Sequence, residues 1–143
     1  YTIPSKSYDV KGTASGELVG GNISILYSLL GSKSAIDTKD KILFIEDLDE
    51  YLYHIDRMMM AMKRAGKLQD LAGLVVGGMS DMKDNEIPFG KTAEEIIQDA
   101  VSGYSYPVLY GFPSGHIPNN YPLIFGREAT LKVTDKMELK FQS

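Results

Sequence analysis

Lys41-Ile42-Leu43-Phe44-Ile45-Glu46-Asp47 places four apolar residues between a base and two acids. A short run without polar alternation reads as a strand buried on both faces, as in a sheet covered on each side. From Asp49 the period changes. Leu52, Ile55, Met58, Met59 and Met62 recur at three- and four-residue steps, and Gly66 supplies the stop of a helix expected over 49–66. Leu74-Val75-Val76 then forms a second short strand ahead of Gly77 and Gly78. Residues 42–76 are therefore a strand–helix–strand unit, which predicts a parallel pair with a crossover helix.

Toward the N-terminus, the first twenty residues are rich in Ser, Gly, Thr and Lys, with weak strand signals at 8–11 and 17–19. Residues 1–15 read as an interdomain linker and 16–143 as one domain. Gly20, Gly21 and Asn22 precede an apolar stripe of Ile23, Leu26, Leu29 and Leu30, so Asn22 is placed as the N-cap of a short helix with Gly31 past its end. Toward the C-terminus, 79–91 is a polar loop. Thr92 and Glu95 have capping-box spacing for a helix to about Ser102, and 107–110 reads as a third strand. Leu131, Val133, Met137, Leu139 and Phe141 alternate around Asp135 and Lys136, the pattern of a terminal hairpin. The fold class expected is α/β, with a small mixed sheet and helices.

The chain has 143 residues, 43% apolar and 24% charged, the balance of one globular domain. No run approaches the roughly 18 apolar residues of a membrane span, and no signal-peptide pattern is present; Tyr1 is not an initiator residue, and a preceding segment is expected. The formal charge of −4 is spread among mixed acids and bases, which argues against a nucleic-acid partner. Without cysteine there is no disulfide and no thiolate chemistry. No metal site is expected: His-Glu-x-x-His is absent, and Asp81, Asp84 and Glu86 lack calcium-loop spacing. No cofactor fingerprint is present. The Met58–60 run reads as core packing, with a partner-facing position possible at its edge.

Two histidines are the candidates for a base near neutrality. His116 follows a strand in Gly111-Phe112-Pro113-Ser114-Gly115-His116, beside a glycine that lets the backbone turn; His54 lies among the charged residues of the long helix and reads as a surface position. Glu46 sits at the carboxyl end of a buried strand, where catalytic groups of α/β folds collect. The alternative is that Glu46 or Asp47 caps the following helix. Glu46 and His116 both follow strands and can meet at one sheet edge, the acid orienting the imidazole that accepts a hydroxyl proton. Ser114 and Ser80 are nucleophiles only by residue type, since neither occupies a Gly-x-Ser-x-Gly elbow.

Taken in order, these segments resemble the C-terminal domain of the LD-carboxypeptidases, also called muramoyltetrapeptide carboxypeptidases, a family that includes microcin-immunity serine peptidases. Gly20-Gly21-Asn22-Ile23 is similar to the family's helix start, 41–47 to its acid-bearing strand, Ile55-Asp56-Arg57-Met58 to the helix that follows, and 107–120 to its histidine loop. Pro122-Leu123-Ile124-Phe125-Gly126 departs from the family's Pro-Leu-Gly. The resemblance implies a swivelling β/β/α domain, catalytic roles for Glu46 and His116, and a substrate-binding role for Asn22. It further implies a serine supplied by a preceding N-terminal domain, no cofactor, and cytoplasmic release of D-alanine from a murein tetrapeptide; the alternatives are a non-catalytic binding or regulatory domain, in which Glu46 and His116 need not converge, and an immunity-type peptidase acting on a peptide-nucleotide antibiotic. A homodimer is expected as well, and the Glu46 and His116 side chains should approach within about 4 Å. Glu50 is a second acid within reach of the motif.

Overall fold

The computed structural model describes residues 2–142. Seven strands form one mixed sheet: β1 (Thr2–Ile3), β2 (Gly12–Asn22), β3 (Ile42–Leu48), β4 (Gly73–Ser80), β5 (Val108–Tyr110), β6 (Glu128–Val133) and β7 (Met137–Phe141), in the order β1-β7-β6-β2-β3-β4-β5. Helices α1 (Ile23–Ser28), α2 (Leu52–Arg64) and α3 (Ala93–Val101) connect them. The architecture is the α/β class expected, with more strands than the small sheet read from the sequence.

The two halves of the sheet share β2. Its first part, from Gly12 to Glu17, pairs antiparallel with β6, and its second, from Leu18 to Asn22, pairs parallel with β3. β3, β4 and β5 continue in parallel, so the 42–76 unit is the parallel crossover its periodicity predicts. The linker expected over 1–15 thus contributes β1 and the start of β2 to the sheet. The signal at 8–11 yields only a bridge from Val10 to Val108.

Alternation along β3 divides the core. Leu43 and Ile45 join Met58, Met59 and Met62 of α2 and Ile96 and Ile97 of α3 in one cluster. Ile42 and Phe44 pack instead with Leu131, Val133 and Leu139 of the terminal hairpin. Helices therefore cover one face of the parallel strands and the antiparallel strands cover the other, three layers in which β3 is buried on both sides. Met58 and Met59 are core residues, as the Met58–60 run reads, and so are Met62 and, from the hairpin, Met137; all four are at most 2% exposed.

Three boundaries differ from the reading, each for a tertiary reason. β3 continues through Glu46 and Asp47 to Leu48, because β2 and β4 pair with it beyond the apolar run. α2 begins at Leu52 rather than Asp49, since Asp49 takes a left-handed φ of 61° and donates its N–H to the Ser80 carbonyl. β4 runs through the glycine pair to Ser80, as the absence of side chains there lets another segment lie against it. α3, β5 and the hairpin lie where their patterns predict, and the capping box of Thr92 and Glu95 is formed.

Gly20 is where β2 approaches β3 most closely: a Cβ there would lie 1.9 Å from the Phe44 carbonyl oxygen, at a φ of 134°. Gly31, at φ 81°, has nothing within 4 Å. Gly31→Ala should cost about 1 kcal/mol, the price of left-handed backbone alone, whereas Gly20→Ala should cost at least about 3 kcal/mol through the clash. Urea unfolding midpoints of the two variants measure the difference.

Candidate functional site

Residues 46 and 47 point to opposite faces of β3, as successive strand residues do. Pairing with β4 shifts register between Ile45 and Asp47, an irregularity that leaves Glu46 out of that ladder while it stays opposite Asn22 of β2. Such irregularities re-aim a side chain at the end of a strand. Glu46, 6% exposed, emerges on the Phe44 face.

The loop after β5 meets it there. No regular strand continues past Tyr110, yet the chain stays bonded to β4: the Phe112 N–H donates to the Val76 carbonyl, the Gly78 N–H to the Ser114 carbonyl, and the Ser80 hydroxyl to the His116 carbonyl at 2.7 Å. This requires glycine at 77, where a Cβ would lie 2.4 Å from the Ser114 oxygen and 2.7 Å from the Phe44 ring. It also requires glycine at 115, with φ 116°, where a Cβ would lie 2.9 Å from the Glu46 Oε2. The loop closes on itself through Tyr121 N–H to the Pro113 carbonyl and Gly115 N–H to the Asn120 Oδ1, 3.0 Å.

These contacts bring together the two residues singled out by the sequence. His116 Nδ1 lies 2.7 Å from Glu46 Oε2, and the His116 backbone N–H donates to the same oxygen at 3.3 Å. The His116 side chain is 53% exposed against 8% for Glu46. With the carboxylate on Nδ1, that nitrogen carries hydrogen and Nε2 is left as the proton acceptor on the far edge of the ring. The hydrogen bond to Glu46 and its charge hold the His116 pKa above its ordinary value, with a smaller push from Asp47. A cleft of about 390 Å³ opens beside the pair, walled by Gly21, Phe44, Asn120 and Phe125 among others. Across the departure from the family pattern, Phe125 lies 6.0 Å from the Phe44 ring, and the Gly126 N–H returns to the Leu18 carbonyl.

The other sequence candidates go elsewhere. Ser114, 7% exposed, donates its hydroxyl to the Tyr121 carbonyl, and the Ser80 hydroxyl is taken by the His116 carbonyl, so neither is bonded to the imidazole. Asn22 caps α1, its Oδ1 accepting from Ile25 N–H while its Nδ2 donates to Asp47 Oδ1. Asp47 faces the helices and accepts from Ser24 N–H, the Ser24 hydroxyl and Leu48 N–H as well. Neither acid caps the helix that follows, since α2 starts from Tyr51 without a side-chain cap bond; Asp47 is turned instead to the start of the preceding helix α1.

A second acid–histidine pair was not foreseen: Glu50 Oε2 lies 2.7 Å from His54 Nδ1, and Glu50 Oε1 accepts from Ser24 Oγ at 3.0 Å. Its only sequence signal is the four-residue spacing along the chain. Here the acid stands between hydroxyl and imidazole, so His54 cannot take the Ser24 proton, and the order of bonds is not that of a triad. Among the described residues no group of three or more His, Cys, Asp or Glu is placed to hold a metal ion.

The sequence pattern of the LD-carboxypeptidase C-terminal domain matches residues 15–131. A probable murein peptide carboxypeptidase of Bacillus subtilis is 39% identical over 127 residues, which cover 89% of this chain and 40% of that protein. A putative carboxypeptidase of Synechocystis is 36% identical over 85% of this chain and 40% of its own length. The chain spans about two fifths of the curated relatives it matches. Among solved structures, a muramoyltetrapeptide carboxypeptidase from Oxalobacter formigenes superposes with a TM-score of 0.89 at 28% identity, covering 100% of this chain and 49% of that one. The microcin C7 self-immunity protein MccF, at 21% identity and TM-score 0.82, covers 93% of this chain and 39% of its own and shares the fold.

The raised pKa of His116 fixes the sign of a pH effect. A base whose folded pKa lies above its unfolded value, about 6.5 for histidine, adds stability that is full below that value and is lost as pH rises through the folded pKa. NMR titration of the ring should place the His116 midpoint above 6.5, and Glu46→Gln should lower it. A His116 midpoint unmoved by Glu46→Gln would show that the contact does not govern the imidazole.

Proposed function

The chain belongs to the LD-carboxypeptidase family, as its C-terminal domain, and on that premise we propose that Glu46 and His116 are the acid and base of a Ser-Glu-His triad. The serine comes from the N-terminal domain that precedes this one in the full-length protein. The observation that carries the reading is the 2.7 Å bond from His116 Nδ1 to Glu46, with the ring half exposed at the rim of a cleft. A binding module would have no need for the two groups to converge.

The serine oxygen attacks the carbonyl of an L-D peptide bond while His116 Nε2 takes its proton. His116 then gives that proton to the leaving amine as the C–N bond breaks, and water releases the acyl group by the same route. Glu46 holds the Nδ1–H tautomer and stabilises the imidazolium, which forms more readily because the resting pKa is already raised. The substrate class is a murein tetrapeptide that loses its terminal D-alanine in the cytoplasm, in peptidoglycan recycling. No residue of this chain is asked to hold a cofactor. No helix among the described residues is long and apolar enough to cross a membrane.

In the full-length protein, His116→Ala and Glu46→Ala should each lower turnover of an L-D-linked tetrapeptide by about three orders of magnitude or more, with the circular dichroism unchanged. His54→Ala should stay near wild type. The 143 residues alone should release no D-alanine above the buffer rate; robust release would place the nucleophile within them. Self-association belongs to the same proposal, with Ile25 on α1 and Tyr51 and Tyr53 at the start of α2 as exposed apolar side chains. Sedimentation at high concentration should then give the mass of a homodimer, and a monomer mass would exclude it.

A further inference from the structure

We propose that Asn120 is a substrate-binding residue whose Nδ2 donates to a peptide carbonyl next to the scissile bond; the inference rests on the function proposed above. The orientation of the amide follows from its partner. Gly115 N–H can only donate, so the Asn120 atom 3.0 Å away is the oxygen. With Oδ1 so engaged, Nδ2 is the remaining polar group of an exposed side chain, and among the described residues it makes no hydrogen bond. Asn120 lines the same cleft as Glu46 and His116. It is also held in place, because the next residue is clamped twice, by Tyr121 N–H to the Pro113 carbonyl and by the Ser114 hydroxyl to the Tyr121 carbonyl. A donor fixed before binding loses little entropy when it engages.

The character of the cleft selects the acceptor. Neither Lys nor Arg lines it, and its formal charges are those of Glu46 and His116. The free carboxylate of the leaving D-alanine lies on one side of the bond that His116 must reach, so the neutral peptide carbonyl on the other side is the acceptor that a lone amide donor, with no Lys or Arg beside it, suits.

The two atoms of the amide can be tested apart. Asn120→Asp keeps an acceptor for Gly115 N–H and removes the donor; Asn120→Ala removes both. In the full-length protein acting on an L-D-linked tetrapeptide, both variants should raise KM about tenfold, the worth of one hydrogen bond, with kcat within about threefold of wild type. A wild-type KM for Asn120→Asp beside an impaired Asn120→Ala would mean that the amide only braces the loop, and would overturn the inference. So would a fall in kcat at unchanged KM, which reports a displaced imidazole. His116→Ala serves as the reference: if it stays active, the proposed triad fails instead. The Asn120 contact is then read from calorimetric binding of a tetrapeptide analogue whose scissile bond is replaced by a non-hydrolysable one, which Asn120→Asp should weaken about tenfold and which would be unchanged if the inference were wrong.

Discussion

A carboxylate taken out of water needs donors, and at the end of β3 Glu46 finds both of them in one residue, the backbone N–H and ring Nδ1 of His116. Much of the surrounding structure exists to make that meeting possible. The histidine loop has no regular secondary structure, so its position is borrowed from β4 through three hydrogen bonds from Phe112 to His116. Those bonds need the glycines of β4, and β4 is itself held in register by the parallel ladder with β3. The imidazole is positioned by the same strand pair that carries its acid.

β2 sets the other boundary. Because it pairs parallel with β3 and antiparallel with β6, it joins the helix-covered half of the sheet to the half that folds over Phe44. Its last residue, Asn22, ties this junction to Asp47, neighbour of the acid, while starting α1. Two consecutive acids are sorted to opposite faces of the strand by its alternation, with the register shift at Glu46 helping to aim the first. Glu46 goes to the cleft, and Asp47 goes to a helix start where four donors satisfy it.

The crossover unit, α3 and the terminal hairpin were legible because their apolar periods reflect burial on one or two faces. Glu46 and His116 were legible as neighbours of strands; His54 reads as a surface helix position by its place alone, while the choice of Glu46 over Glu50 drew on family resemblance together with the rigidity of a strand end. What stayed hidden depends on pairing between distant segments. Polar residues such as Glu46, Asp47 and Ser80 do not look like strand, and they extend β3 and β4 only because a partner lies alongside. Gly12 to Glu17 has no apolar alternation, so its place in the sheet comes from β6. The bond between Glu50 and His54 was missed for a simpler reason: a histidine at helical spacing from an acid looks like any solvated pair until Ser24 from another helix is seen against it.

Gly115 sits against Glu46 with no room for one more carbon, and that constraint runs one way along the chain. The atoms that a side chain at 115 would meet include the Glu46 Cβ at 2.9 Å as well as Oε2, so shortening the acid to aspartate opens no space, and the φ of 116° strains any side chain there in any case. A lineage can lose the acid by substitution at 46 alone, while the glycine stays fixed by the backbone turn it serves.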